Sequence, residues 1–129
     1  MNSRYYEWMN MKDSVDDSQE RLFFHERGIW FCILGKNIGY EQNGSGKQFL
    51  RPVIILKRFN DKICLIVPLT MTSKKGIHYF NFSFIEDKIS TAILSQIRLI
   101  DSKRLVYKSG DISEDDFKEL KEKLRKLIF

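Results

Sequence analysis

The sequence predicts a mainly β domain with helices (α+β): a small, strongly bent sheet or partly open barrel, closed by a C-terminal helix. Short apolar runs rich in β-branched and aromatic residues recur along the chain: "GIWFCIL", "PVIILKRF", "KICLIVPLT", "IHYFNFSF" and "STAILSQIRLI". Each is bounded by Gly, Pro, Asn or Ser and reads as a strand. Helical spacing is clearest at the end of the chain, at Phe117, Leu120, Leu124 and Leu127. The length, 129 residues, suits one domain with a single core. Five or so short strands plus one amphipathic helix bury their apolar faces best as a curved sheet with the helix laid on it.

Taken in order, residues 1–22 differ from the rest. Tyr5, Trp8, Met9 and Met11 loosely follow helical spacing before the acidic patch Asp13, Asp16, Asp17 and Glu20 interrupts them. This predicts a helical extension and linker over 1–22, ahead of a domain at 23–129. Gly28 to Leu34 is a continuous apolar run and predicts a strand. Gly35 to Leu50 is a long Gly-rich loop, a length more often functional than ornamental in a compact domain. The next strand is expected to begin at Pro52, since a missing N–H is tolerated at a strand's first residue. Asn60-Asp61 is turn chemistry, so 52–69 reads as a hairpin. "MTSKKG" is a second polar loop. In "IHYFNFSF", His78, Phe80, Phe82 and Phe84 form the more apolar alternate set, which puts His78 on the core side. "STAILSQIRLI" reads as one further strand and "DSKRL" as a turn or single helical turn. Ser113 with Asp116 three residues on forms a capping-box-like helix start.

Lys and Arg number 22 against 17 Asp and Glu, a formal charge of +5 that favours anionic partners. Cys32 and Cys64 are too few for a disulfide scaffold and lack metal-ligand spacing. They read as small buried residues in a reducing compartment. No run approaches the roughly 18–20 apolar residues of a membrane span. The N-terminus has no apolar signal core. The expectation is a cytoplasmic protein with no membrane association and no cofactor.

Spare polarity gathers in the loops 36–51 and 70–76 and around Gln96, Arg98 and Arg104. If the sheet closes as expected, the two loops leave the same end of it, and Arg51 and Thr70 face a common site. A guanidinium is a fixed fork that suits phosphate oxygens, and a threonine hydroxyl adds a hydrogen bond. Amides near Gly44 and Gly46 can approach closely as well. Such a set would stabilise a phosphorane-like transition state. It would suit RNA cleavage by attack of a ribose 2′-hydroxyl on the adjacent phosphate, without a metal. Each residue also has an ordinary reading: a solvent-facing or ion-paired Arg51, a strand-end hydroxyl at Thr70, a carboxylate bonded to loop amides at Glu41. His25 and His78 are isolated, and "GSGKQ" lacks the spacing of a nucleotide-binding phosphate loop.

The pieces "GIWFCILG", "GYEQ", "RPVIIL", "VPLT" and "LSQIRLIDSKRL" occur in this order from Phe24 onward. Together they resemble the MazF/PemK family of toxins from type II toxin–antitoxin systems. The resemblance implies an SH3-like, strongly bent small β-barrel of the MazF/PemK/CcdB kind, usually a homodimer. It implies a metal-independent, sequence-selective endoribonuclease acting on single-stranded RNA and blocked by a cognate antitoxin. The arginine of the family's "RP" falls on Arg51, the threonine of "PLT" on Thr70, and the glutamate of "G-x-E-Q" on Glu41; these are the candidate catalytic residues. Gln42, Gly44 and Lys47 of the first loop, Ser73 and Lys74 of the second, and Gln96 and Arg98 are the candidate RNA contacts. Where some members carry a histidine before the glutamate this chain has Tyr40, and where some carry an aspartate before the glutamine it has Ser95. The acid–base pair proposed for those members is absent. Two other readings fit the same fold. One is a CcdB-like inhibitor of DNA gyrase, which does not need Arg51 and Thr70. The other is a barrel that binds RNA without cutting it.

Overall fold

The computed structural model describes residues 22–34 and 50–129. The expected N-terminal helix and most of the first loop, with Glu41, Gln42, Gly44 and Lys47, lie outside the described residues. The described chain forms β1 (Gly28–Ile33), β2 (Leu50–Arg58), β3 (Ile63–Thr70), β4 (Tyr79–Ile85), β5 (Lys88–Ile93), β6 (Arg98–Asp101), β7 (Leu105–Asp111) and α1 (Glu114–Ile128). The seven strands make one antiparallel sheet in the order β4-β5-β3-β2-β1-β7, with β6 also paired to β3.

That pairing makes a small barrel. β7, β1, β2, β3 and β6 are neighbours in turn. β6 and β7 are not paired with each other but are joined by a single 3-10 turn, Ser102–Arg104. The turn is pinned to the β2–β3 hairpin. Ser102 N donates to the Lys62 carbonyl at 2.8 Å, and Ser102 Oγ to the Asp61 carbonyl at 2.7 Å. The hairpin turn is held in its own right, since Asn60 Oδ1 accepts from Lys62 N and Ile63 N at 2.7 and 2.9 Å.

Strand alternation divides the apolar side chains between two cores. Inside the barrel lie Trp30, Cys32, Val53, Ile55, Cys64, Ile66, Ile100 and Leu105, plugged by Phe24. On the opposite face Ile29, Ile54, Val67, Leu69, Phe80, Phe82 and Ala92 meet Phe117, Leu120 and Leu124 of α1. The helix starts where expected. Ser113 Oγ accepts from Asp116 N at 3.1 Å, three acidic residues open the first turn, and Arg125 and Lys126 close the last, each sign favourable to the helix dipole.

Four expectations are corrected. β2 begins at Leu50, so Pro52 is inside the strand, opposite Phe31 of β1. It is tolerated because the β2–β3 ladder starts one residue later, at Val53. "STAILSQIRLI" is two strands, not one: β5 and β6 are separated by a 3-10 turn at Leu94–Gln96. β5 pairs with the end of β3 and β6 with its beginning. β7 was not expected. It pairs with β1 alone, so "KSGD" faces solvent and reads like a turn. His78 is exposed, one residue before β4, and its carbonyl accepts from Leu94 N at 2.8 Å.

Candidate active site

The register of the sheet aligns the polar residues of interest in one row. Leu105 of β7 is opposite Cys32 of β1, and Cys32 is opposite Arg51 of β2. Thr70 of β3 is opposite Thr91 of β5, and Thr91 is opposite Asn81 of β4. The two halves join at the mouth between β2 and β3. Their last rung is Val53 with Pro68, and Arg51 and Thr70 stand the same two positions beyond it. Continuing the register therefore sets Arg51 across from Thr70.

The row has a defined face. Arg51 shares the parity of Val53 and Ile55, and Thr70 that of Pro68, Ile66 and Cys64, all on the barrel-interior side apart from the mouth itself. Arg98 opens β6 on the same side, opposite Ile66 and two residues before inward-facing Ile100. Arg51 and Thr70 are half-buried and Arg98 is exposed. The mouth thus has an apolar floor with polar groups at the rim.

Arg104 adds to the same end. Its guanidinium donates to the carbonyl of Ile33, the last residue of β1, at 3.0 Å. Burial pushes the Cys32 thiol up from 9.0 to about 12, and neighbouring Cys64 adds to the rise. Arg104, Arg98 and Arg51 pull it the other way. Arg51 is the rung neighbour of Cys32, and Arg104 bonds the carbonyl of the next residue along β1. Among the described residues, neither Arg51 nor Arg98 is ion-paired with a carboxylate.

Sequence reasoning singled out Arg51, Thr70 and Arg98; the continued register sets Arg51 across from Thr70, and Arg98 stands on the same inward side, opposite Ile66. Ser73 and Lys74 are exposed on the loop that leaves Thr70, and Gln96 is exposed on the 3-10 turn before β6. His25 is exposed in an edge contact with Phe23. Among the described residues no group of His, Cys, Asp or Glu is placed to hold a metal ion. No described helix is long and apolar enough to cross a membrane. Sequence reasoning missed Thr91 and Asn81. The available signal was alternation: Asn81 and Thr91 fall out of phase with Phe80, Phe82 and Ala92, polar positions between core positions.

Comparison with known proteins agrees with this fold. A family profile described as PemK-like, MazF-like toxin of type II toxin-antitoxin system matches residues 26–128. No curated protein sequence matches the chain significantly. Solved structures share the fold. MazF from Deinococcus radiodurans superposes with a TM-score of 0.63 at 18% identity, covering 80% of this chain and 94% of that one. The Mycobacterium tuberculosis toxin MazF-mt6 gives 0.60 at 18% identity, covering 79% and 96%. A mycobacterial endoribonuclease in complex with its cognate antitoxin gives 0.60 at 12% identity, covering 80% and 92%. With its profile match spanning the whole barrel and α1, the chain belongs to the PemK-like, MazF-like toxins of type II toxin–antitoxin systems.

Proposed function

We propose that this toxin is an endoribonuclease that cleaves single-stranded RNA, with the mouth between β2 and β3 as its active site. The observation that carries the reading is the register that sets half-buried Arg51 across from Thr70 at the rim. A phosphodiester there would meet a guanidinium fork on one side and a hydroxyl on the other. The 2′-hydroxyl oxygen attacks the adjacent phosphorus and the bond to the 5′-oxygen breaks. The 2′-proton leaves to a base, and the departing 5′-oxygen takes up a proton. The products are a 2′,3′-cyclic phosphate and a 5′-hydroxyl. Arg51 and Thr70 act where they count most, on the charge that builds on the non-bridging oxygens. Arg98, Lys74 and Ser73 hold the flanking strand, and Glu41 and Gln42 are proposed to complete the site from the first loop.

The partner proposed for the toxin is a cognate antitoxin with an acidic segment that covers the cationic mouth; a mycobacterial relative has been solved with its own antitoxin. The toxin is proposed to act as a homodimer.

The test is a cleavage assay on long mixed-sequence RNA, with chelator present. Wild type should give discrete fragments ending in 5′-hydroxyls. Arg51→Ala should lose about 10²–10³-fold in rate, the usual cost of removing an oxyanion-stabilising group. Intact RNA with wild-type protein, together with inhibition in a DNA supercoiling assay, would replace this reading with that of a gyrase inhibitor.

A further inference from the structure

The loop between Thr70 and Gly76 carries Ser73, Lys74 and Lys75, all exposed. A loop of that composition would ordinarily sample many conformations, and fixing its cations would cost entropy each time a ligand bound. Here the loop is tied down at two points. Asn81 of β4 holds the backbone of Lys74 from both sides. Its Oδ1 accepts from Lys74 N at 3.3 Å and its Nδ2 donates to the Lys74 carbonyl at 2.8 Å. The side-chain amide thus stands in for a strand partner at this residue. Asn81 is itself oriented, because the hydroxyl of fully buried Thr91 donates to Asn81 Oδ1. The Lys74 backbone decides which end of the amide is oxygen, because its N–H can only donate and its carbonyl can only accept; the Thr91 hydroxyl adds a further donor to that oxygen and steadies the side chain. The second tie is Ser90 Oγ to Met71 Sδ at 3.6 Å. Ser90 is as buried as Thr91.

Thr91 is the rung partner of Thr70, and Asn81 is the rung partner of Thr91. The clamp therefore continues the same row that ends in Thr70 and Arg51, and couples the loop's position to the site rather than to a remote part of the fold.

We propose that Asn81, oriented by Thr91, is a positioning residue that pre-orders the Met71–Gly76 loop so that Lys74 and Lys75 meet the phosphates of the RNA strand beside the scissile bond. This rests on the ribonuclease reading. Neither Asn81 nor Thr91 is given any part in the bond-breaking step. Their effect passes through the backbone of Lys74.

Two measurements on the full-length protein test it. In the free protein, amide exchange at Lys74 should speed up at least tenfold in Asn81→Ala and in Thr91→Val, and Thr91→Ser, which keeps the hydroxyl, should stay near wild type. In single-stranded RNA cleavage, KM should rise about five- to tenfold in Asn81→Ala while kcat changes far less. Faster exchange without a change in KM would show a purely structural clamp and overturn the proposal. So would unchanged exchange in both loss variants. If wild type neither binds nor cuts RNA, the ribonuclease reading falls and the loop's RNA role with it. If wild type cuts RNA and Asn81→Ala matches it in KM, this inference alone falls.

Discussion

At the scale of single residues, the inner core makes a chemical statement through its two thiols. Cys32 and Cys64 are free and fully buried. Burial raises both, Cys32 from 9.0 to about 12 and Cys64 from 9.0 to about 11. The folded state therefore keeps protons that the unfolded chain releases first. The stability these thiols contribute is complete below about pH 9 and is lost as pH climbs through 9 toward the folded values of about 11 and 12. Urea midpoints should fall more between pH 8 and pH 10 in wild type than in a Cys32→Ala/Cys64→Ala double variant. Both thiols should also resist alkylation at pH 8 until the protein unfolds, because the thiolate is the nucleophile. Labelling of the folded protein at a free-thiol rate would refute this. Reading them as inert buried residues followed from their place in apolar strands. That Cys32 would feel three arginines did not, because Arg51, Arg98 and Arg104 come from separate strands and turns.

At the scale of elements, α1 was the most legible part of the chain and carries the plainest stability predictions. Its stripe of Phe117, Leu120 and Leu124 fills the outer core, and Ser113 caps it as its spacing to Asp116 implied. Ser113→Ala should cost about 1 kcal/mol. Leu120→Ala, at a fully buried position, should cost about 2–5 kcal/mol. Chemical denaturation measures both, and equal costs would mean that the helix packs on the sheet less closely than described. The strands were legible in proportion to their burial. β1, β2 and β3 are nearly continuous apolar runs with neighbours on both sides. β7 escaped notice because a strand paired on one edge needs few apolar residues. The β5–β6 break escaped notice because it trades one partner segment of β3 for another. The trace it left is the shift from Ala92 and Leu94 in the outer core to Ile100 in the inner one, a spacing no single strand could follow.

At the scale of the whole molecule, the net charge of +5 matters through where it is placed. Arg51, Arg98 and Arg104 lie on neighbouring strands and turns of the barrel, and Asn81 holds the backbone of Lys74 on the adjoining loop, beside Lys75. On the ribonuclease reading, RNA affinity should fall steeply with salt. Single strands lose about 0.7 in log–log slope per neutralised phosphate. Contacts from four or five of these cations would give a slope near −3, measured by anisotropy with Arg51→Ala and corrected for the charge removed. A slope near zero would rule out the mouth as the RNA site.

The sequence by itself determined the class of fold, the hairpin and the capped helix, because these depend on local period and turn chemistry. Only the tertiary structure decided that Ser102 pins the turn between β6 and β7 to the β2–β3 hairpin, and that Thr70, Thr91 and Asn81 share one row that the continued β2–β3 register extends to Arg51. The physical reason is that register between strands is set by which faces are buried together, across separations of tens of residues. No local pattern carries that information, and a slip of one residue in any of these strands would have turned that strand's member of the row to the other face.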